Sequence, residues 1–300
     1  MITGEHAVVY GHPAVVCAIE ARVTVQTEPL QSGRLDIASD IGEPESYALS
    51  DWPGPVGQYR FVLACFEQFQ HALPGGASVT ITSDIDPTLG LGSSAAVTIA
   101  CLGAFARMAG DDTKLHTQAL SIIRSIQGRG SGADLAASLR GGMLRYQLPV
   151  QMIEAVSPGS AASVATLPAP PPLSLCYSGY KTPTGEVLAK IAAIQEGQKA
   201  AFDALYARMG ASAQTAISAA EAQDWVAFGA ELTAYQGMMA ELGVSDATLD
   251  RLVADGHAHP GTLAAKISGS GLGDCVLAVG EVPRGFKSVP LAVEGLLFHD

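Results

Sequence analysis

The sequence predicts an α+β protein of two domains, and three observations carry that reading. The chain has 300 residues, and roughly 150 residues make a domain. Runs that alternate apolar and polar residues and runs with a helical apolar face occur together twice along the chain. Between the two sets lies Pro168-Ala169-Pro170-Pro171-Pro172, a run that fits neither a helix interior nor a central strand. The expected domains are residues 1–157 and 173–300, joined by a proline-rich linker over 158–172. Apolar residues are 48% and charged residues 15% of the chain. A chain of this size and composition buries a core without disulfides or structural metal.

The elements follow in order. Arg22 to Glu28 and Arg34 to Ser39 alternate as strands, with a turn at Ser32-Gly33. A helix is expected from about Gln58 to Leu73, with Phe61, Cys65, Phe66, Phe69 and Leu73 on one face, stopped by Pro74-Gly75-Gly76. Ala77 to Thr82 reads as a strand. A glycine loop then feeds a helix that ends near Ala109-Gly110. Asp111 or Asp112 is the expected cap of the next helix, which carries Leu115, Ala119, Ile122, Ile123 and Ile126. A glycine turn over Gly128 to Gly132, a short helix and a strand near Met143 to Leu148 complete the first part. Beyond the linker come a strand at Leu173 to Tyr177, several helices within Thr184 to Ala254, and a strand at Thr262 to Ile267. A turn over Ser268 to Gly273 and strands near Cys275 to Val279 and Val293 to Phe298 close the chain.

Charge and cysteine usage narrow the function. Lys and Arg number 17 against 29 Asp and Glu, a net charge of −12. That balance argues against nucleic acid as a partner. It leaves room for a small anion, which needs only backbone N–H groups and a few local cations. Cys17, Cys65, Cys101, Cys176 and Cys275 are odd in number and widely spaced. Neither a disulfide framework nor a zinc site is expected, and a reducing, cytoplasmic setting is. Gly4, Glu5, His6 and Gly11 interrupt any secretory leader. The uncharged stretch Thr88 to Ala106 is read as a glycine loop entering a buried helix, so no membrane span is expected. His12, His71, His116, His257, His259 and His299 show no metal-ligand spacing.

Three segments could carry chemistry. Pro87-Thr-Leu-Gly-Leu-Gly-Ser-Ser-Ala-Ala96 lies between an expected strand and helix. Gly90 and Gly92 can turn backbone N–H groups inward, and Ser93 and Ser94 add hydroxyls at a helix N-terminus. That arrangement cradles phosphate or is only a packed turn. It lacks the Gly-Lys-Ser/Thr ending of a Walker A loop. In Gly128-Arg-Gly-Ser-Gly-Ala-Asp134 the carboxylate either points into a cleft or caps the following helix. Lys266-Ile-Ser-Gly-Ser-Gly-Leu-Gly273 is a third strand-to-turn glycine motif.

Together with the opening Gly4-Glu-His-Ala-Val-Val-Tyr-Gly11, these segments resemble the GHMP kinases over essentially the whole chain. The opening looks most like the mevalonate kinases of that family. The resemblance implies an N-terminal domain similar to domain 2 of ribosomal protein S5 and a ferredoxin-like C-terminal domain, with ATP and substrate meeting in the cleft between them. It implies ATP-dependent phosphorylation of a small-molecule hydroxyl, mevalonate first. Phosphomevalonate or another small alcohol is the alternative, and a catalytically silent ligand-binding protein the third reading. Leu89, Gly90, Leu91, Gly92, Ser93, Ser94 and Ala95 would wrap the ATP phosphates, with Ser94 as the Mg²⁺ ligand. Asp134 would be the catalytic base. Glu5, His6, Lys181, Gly269 and Ser270 would meet the substrate. Partners expected are the alcohol and ATP, with a homodimer as the candidate assembly. Arg124 and Arg129 are cations that a phosphorylated substrate would use.

Three departures from the family pattern stand out. Mevalonate kinases carry a Pro-Gly-Lys on a strand just before the Gly-Glu-His, whereas Gly4 here follows Met1-Ile-Thr3. The expectation is that upstream codons encode that strand and its lysine. A Mg²⁺-binding Glu usually stands eleven residues before the catalytic Asp, and Ile123 occupies that place. Asp274 stands where a Gly usually precedes Cys275, and is expected to be a surface strand residue or to perturb the nucleotide site.

Overall fold

The computed structural model describes residues 1–86, 90–111, 114–153 and 161–299. The chain forms two compact units that interleave in sequence. One holds Met1–Glu20, Thr88–Gly90 and Arg140–Gly295. The other holds Ala21–Pro87, Leu91–Leu139 and Leu296–Asp300. The chain passes from one to the other between Gly90 and Leu91, inside the glycine loop.

The first unit begins with a 3-10 turn over Ala7–Tyr10 and strand β1, Ala14–Cys17. Gly4 must be glycine: a Cβ there would stand 2.4 Å from the Ala14 Cβ. Thr3 bridges to Val15, which ties the opening segment to β1.

The second unit contains β2 (Val23–Pro29), β3 (Arg34–Ser39), β4 (Gly42–Ala48), α1 (Arg60–Glu67) and β5 (Gly76–Ser83). Helices α2 (Ser93–Ala109), α3 (Leu115–Gln127) and α4 (Ala133–Arg140) follow. The sheet order is β2-β5-β3-β4, with β3 parallel to β5 and the other pairs antiparallel. Leu35, Ile37, Val79 and Ile81 alternate inward from that sheet, and Phe66, Cys101, Leu102 and Phe105 are buried on α1 and α2. Helix α2 is uncharged until Arg107 because most of it is core.

The chain then returns to the first unit as β6 (Met143–Gln147), β7 (Ser163–Leu167), β8 (Leu173–Tyr177), α5 (Thr184–Gln195), α6 (Lys199–Glu221), α7 (Trp225–Glu241) and α8 (Ala247–His257). It ends with β9 (Thr262–Ser268), β10 (Cys275–Gly280) and β11 (Lys287–Ser288). Two sheets result, β1-β6-β7 and β11-β8-β10-β9, antiparallel throughout. Tyr235, Met239, Ile267 and Val276 share one core, and Phe228, Leu232, Leu277 and Val279 another.

Several expectations give way here. Residues 163–167 of the expected linker form β7, which pairs with β6 from Leu167↔Met143 to Ser163↔Gln147. The linker's first residues, 158–160, lie outside the described residues. Val293 to Phe298 is not a strand. Leu296 and Phe298 instead pack on α2, where a Cβ at Gly103 would come within 2.8 Å and 3.2 Å of them. Arg107 also sits over the Phe298 ring, so side-chain packing holds this tail rather than a ladder. The N-cap of α3 is Lys114, with no side-chain capping bond, so Asp111 does not cap it. Asp112 lies outside the described residues. The expected helix to Leu73 stops regular winding at Glu67 and continues as turns.

Candidate functional site

In the second unit the glycine loop does what its sequence demands locally. Gly92 adopts φ +81° as the N-cap of α2, a conformation that favours glycine, and Ser93 and Ser94 open the helix. The first N–H groups of a helix have no intrahelical acceptor, and its dipole is positive there. Ser93 and Ser94 are half-buried while Ala95 is sealed in the core, so the polar pair remains accessible. Leu91 is also half-buried, and Leu89 lies outside the described residues.

Asp134 belongs to the same unit and sits in the first turn of α4. A Cβ built on Gly92 would stand 3.9 Å from the Asp134 Cβ, so the two motifs meet. Asp134 Oδ1 accepts the Leu135 N–H at 3.0 Å. Its side chain is exposed, yet surrounding protein crowds it and pushes the carboxyl pKa above the ordinary 3.8; the Leu135 N–H and the His116 ring pull it back. The carboxylate is both a helix-terminal acceptor and open to a small ligand.

Two side chains hold the turn before Asp134, one of them the Arg124 that was expected to meet a phosphorylated substrate. His116 Nε2 lies 2.9 Å from the Gly132 carbonyl, and Arg124 Nε donates to the Gly130 carbonyl at 3.0 Å. Arg129 is exposed. Ile123 is buried at 4% exposure, and a Cβ at Gly130 would meet its Cγ2 at 3.0 Å. The position where the family pattern puts a carboxylate is therefore apolar core.

In the first unit Glu5, His6 and Ser270 come together. His6 takes φ +61° ahead of the 3-10 turn, and its Nε2 stands 2.9 Å from the Ser270 carbonyl. Burial lowers the imidazole pKa, with the Ser270 bond and Glu5 opposing it. A neutral ring that donates from Nε2 leaves Nδ1 as an acceptor. Glu5 Oε1 accepts a hydrogen bond from Lys266 Nζ at 2.6 Å, and Lys266 also donates to the Ile267 carbonyl. The Tyr235 hydroxyl donates to the Glu5 carbonyl at 2.7 Å. The Lys266 role was missed in the sequence. The available signal was a lone lysine inside the apolar run Leu263 to Ile267, which a buried strand tolerates only if paired.

A second group in that unit gathers at Gly90. A Cβ there would lie 2.6 Å from the Asp274 carboxylate. Asp274 is 9% exposed, which corrects the expectation of a surface strand residue. Its backbone carries φ +60° at the end of a glycine turn and is pinned by the Tyr180 carbonyl and the Ser178 N–H. Lys181 Nζ stands 3.9 Å from its Oδ1, and Gly269 borders its Oδ2. Burial pushes the Asp274 carboxyl pKa up while Lys181 pulls it down. Among the described residues no three His, Cys, Asp or Glu side chains gather as a metal cluster. A magnesium ion needs only one or two carboxylates when phosphates and water complete its shell. A buried Asp274 Oδ1 that lacks a donor suits such an ion.

A glycine loop entering a helix N-terminus beside a carboxylate, on this two-unit α+β fold, defines an ATP-dependent kinase of small molecules. The model of the GHMP kinase N-terminal domain matches residues 60–142, and that of the GHMP kinase C-terminal domain matches 216–285. A mevalonate kinase of Thermococcus sibiricus is 30% identical over 315 residues, covering 98% of this chain and 91% of the relative. One of Aeropyrum pernix is 29% identical, covering 96% and 89%. The crystal structure of the Methanococcus jannaschii mevalonate kinase shares the fold, with a TM-score of 0.70 at 21% identity over 93% and 87% of the two chains. The chain belongs to the GHMP kinase family. No helix among the described residues is long and apolar enough to cross a membrane.

Proposed function

We propose that the chain transfers the γ-phosphoryl group of ATP to the hydroxyl of mevalonate. The observation that carries this reading is the Asp134 carboxylate, exposed on the first turn of α4 and set against Gly92 of the phosphate loop. The substrate assignment is supported by relatives named mevalonate kinase that align over nearly the whole chain. The assignment of residues 1–157 and 173–300 as the two family domains belongs to the same proposal.

Phosphoryl transfer asks for positioning and charge stabilisation more than for covalent chemistry. Gly90 to Ala95 present backbone N–H groups and the positive end of α2 to the phosphates. Asp134 orients the attacking hydroxyl and accepts its proton. Its raised pKa makes it a better base than an ordinary aspartate. Glu5, His6, Lys181, Gly269 and Ser270 form the alcohol side of the reading. Neutral His6 offers Nδ1 to a hydroxyl, and Lys181 offers charge to a substrate carboxylate. Ser94 would hold magnesium through its hydroxyl, and the ion when bound neutralises charge on the β- and γ-phosphates. Five free cysteines support a reducing, cytoplasmic setting.

The test is a panel of small alcohols with MgATP, scored by ADP release and product mass. Mevalonate, phosphomevalonate, homoserine and galactose cover the family's chemistry. Turnover of mevalonate at least about tenfold faster than the others is expected, a discrimination of about 1.4 kcal/mol. Preference for another alcohol would replace the substrate, and no turnover of any would remove the activity.

A further inference from the structure

We propose that Asp274 is a ligand for the divalent cation that accompanies the nucleotide. The inference rests on the reading of Gly90 to Ala95 as the phosphate loop. Two features of Asp274 point to a cation. Its carboxylate abuts Gly90, the first described glycine of that loop, so closely that a Cβ there would clash at 2.6 Å. Its Oδ1 is buried and receives no hydrogen bond. A carboxylate oxygen held out of water without a donor is costly unless something positive joins it.

Lys181 supplies only part of that charge. At 3.9 Å from Oδ1 it forms an ion pair without a hydrogen bond, and its side chain is 40% exposed. A triphosphate at the loop would bring several negative charges to the glycine that Asp274 already touches. Like charges at such range repel strongly where protein excludes water. A divalent cation shared by carboxylate and phosphate turns that repulsion into attraction. Magnesium bound through one carboxylate, phosphate oxygens and water is an ordinary shell for this ion. The consequence is selectivity: the site favours metal-bound nucleotide and rejects the free polyanion.

The experiment is calorimetric titration of ATP into the full chain, once with excess Mg²⁺ and once with a chelator. It is run on the parent, Asp274→Asn, Asp274→Gly and Lys181→Met. The parent should bind ATP about tenfold or more tightly with Mg²⁺ than without. Both Asp274 variants should shrink that ratio severalfold, chiefly because metal-free ATP binds better. Asp274→Gly relieves the left-handed φ, so a folded variant is available even if the amide misfolds. Lys181→Met, which removes the charge that partly offsets Asp274, should widen the ratio, chiefly by weakening metal-free binding. Water-proton relaxation of the Mn²⁺–ADP complex should fall closer to the free Mn²⁺–ADP value when Asp274 is removed. An unchanged ratio in both Asp274 variants, or a gain in affinity equal with and without Mg²⁺, would overturn the inference while sparing the loop. Absence of nucleotide binding by the parent in either buffer would overturn the loop reading and this inference with it.

Discussion

Lys266 Nζ lies 2.6 Å from Glu5 Oε1, and the two side chains are only 1% and 2% exposed. The pair joins the Gly-Glu-His segment to β9 across 261 residues of sequence. Burial drives the lysine pKa down, and the Glu5 carboxylate restores part of it. Glu5 Oε2 has no hydrogen-bond partner among the described residues. Removing one partner of such a pair leaves an uncompensated buried charge, at a cost of about 3–5 kcal/mol. Lys266→Met is therefore expected to destabilise the first unit by about that amount. The double variant Glu5→Leu/Lys266→Met should recover most of the loss. Urea denaturation of the parent, Glu5→Leu, Lys266→Met and the double variant gives the coupling directly, and losses that simply add would show that the pair is not the unit of stability.

Asp134 makes a prediction whose sign depends on its raised pKa. A group that holds its proton more tightly when folded favours the fold below the ordinary 3.8, and loses that contribution as pH rises through the folded value. Above its folded pKa the Asp134 carboxylate is thus a net cost to the fold. Asp134→Asn keeps an oxygen to accept the Leu135 N–H and carries no charge. Its melting temperature at pH 7 should equal or exceed that of the parent, with the advantage gone by about pH 3. Phosphoryl transfer should fall by about 10³-fold or more, since the amide cannot take a proton. A variant that melts well below the parent at pH 7 would make the residue a cap before it is a base.

Gly90 and Gly92 both hold left-handed backbone, φ +67° and +81°. Alanine at either costs about 1 kcal/mol of backbone strain. Only Gly90 adds a clash with the Asp274 carboxylate. Gly90→Ala should weaken nucleotide binding more than Gly92→Ala, and Asp274→Gly should partly rescue the first and not the second. Equal effects, unmoved by the Asp274 change, would mean that backbone strain alone decides the loop.

The motif-bearing loops were legible because glycine's work is local. The turn ahead of α2 and the turn ahead of Asp134 each follow from a few adjacent residues. Three kinds of feature were not. Strand β1 is four residues of unbroken apolar sequence, and β4 contains Gly42, Pro44 and two glutamates. Pairing to β6 and to β3 makes them strands, not their own propensity. The tail at 293–298 has strand-like residues but meets α2 instead of a sheet. The contacts that matter most at the site, Lys266 with Glu5 and Asp274 with Gly90, join residues far apart in the chain. Composition and periodicity carry no record of such distance.

Arg124 offers the last prediction. It sits beside Ile123 on α3, the position where the family pattern has a carboxylate and this chain does not. Instead the structure gives Arg124 a positioning contact: Nε donates to the Gly130 carbonyl at 3.0 Å, while His116 engages the Gly132 carbonyl. Both bonds act on the turn that delivers Asp134 to α4. A hydrogen bond from a charged donor contributes about 1.5–3 kcal/mol. Arg124→Ala should lower kcat by about tenfold or more, because small misplacements of a catalytic group are costly. It should leave the KM for ATP within about twofold, since the start of α2 keeps its own geometry. Amide exchange across 128–132 should quicken in the same variant. Arg124→Lys should restore little, because the Nε–H that reaches Gly130 belongs to the planar guanidinium fork. A loss confined to the KM for the alcohol, with kcat and exchange unmoved, would instead make Arg124 a substrate contact.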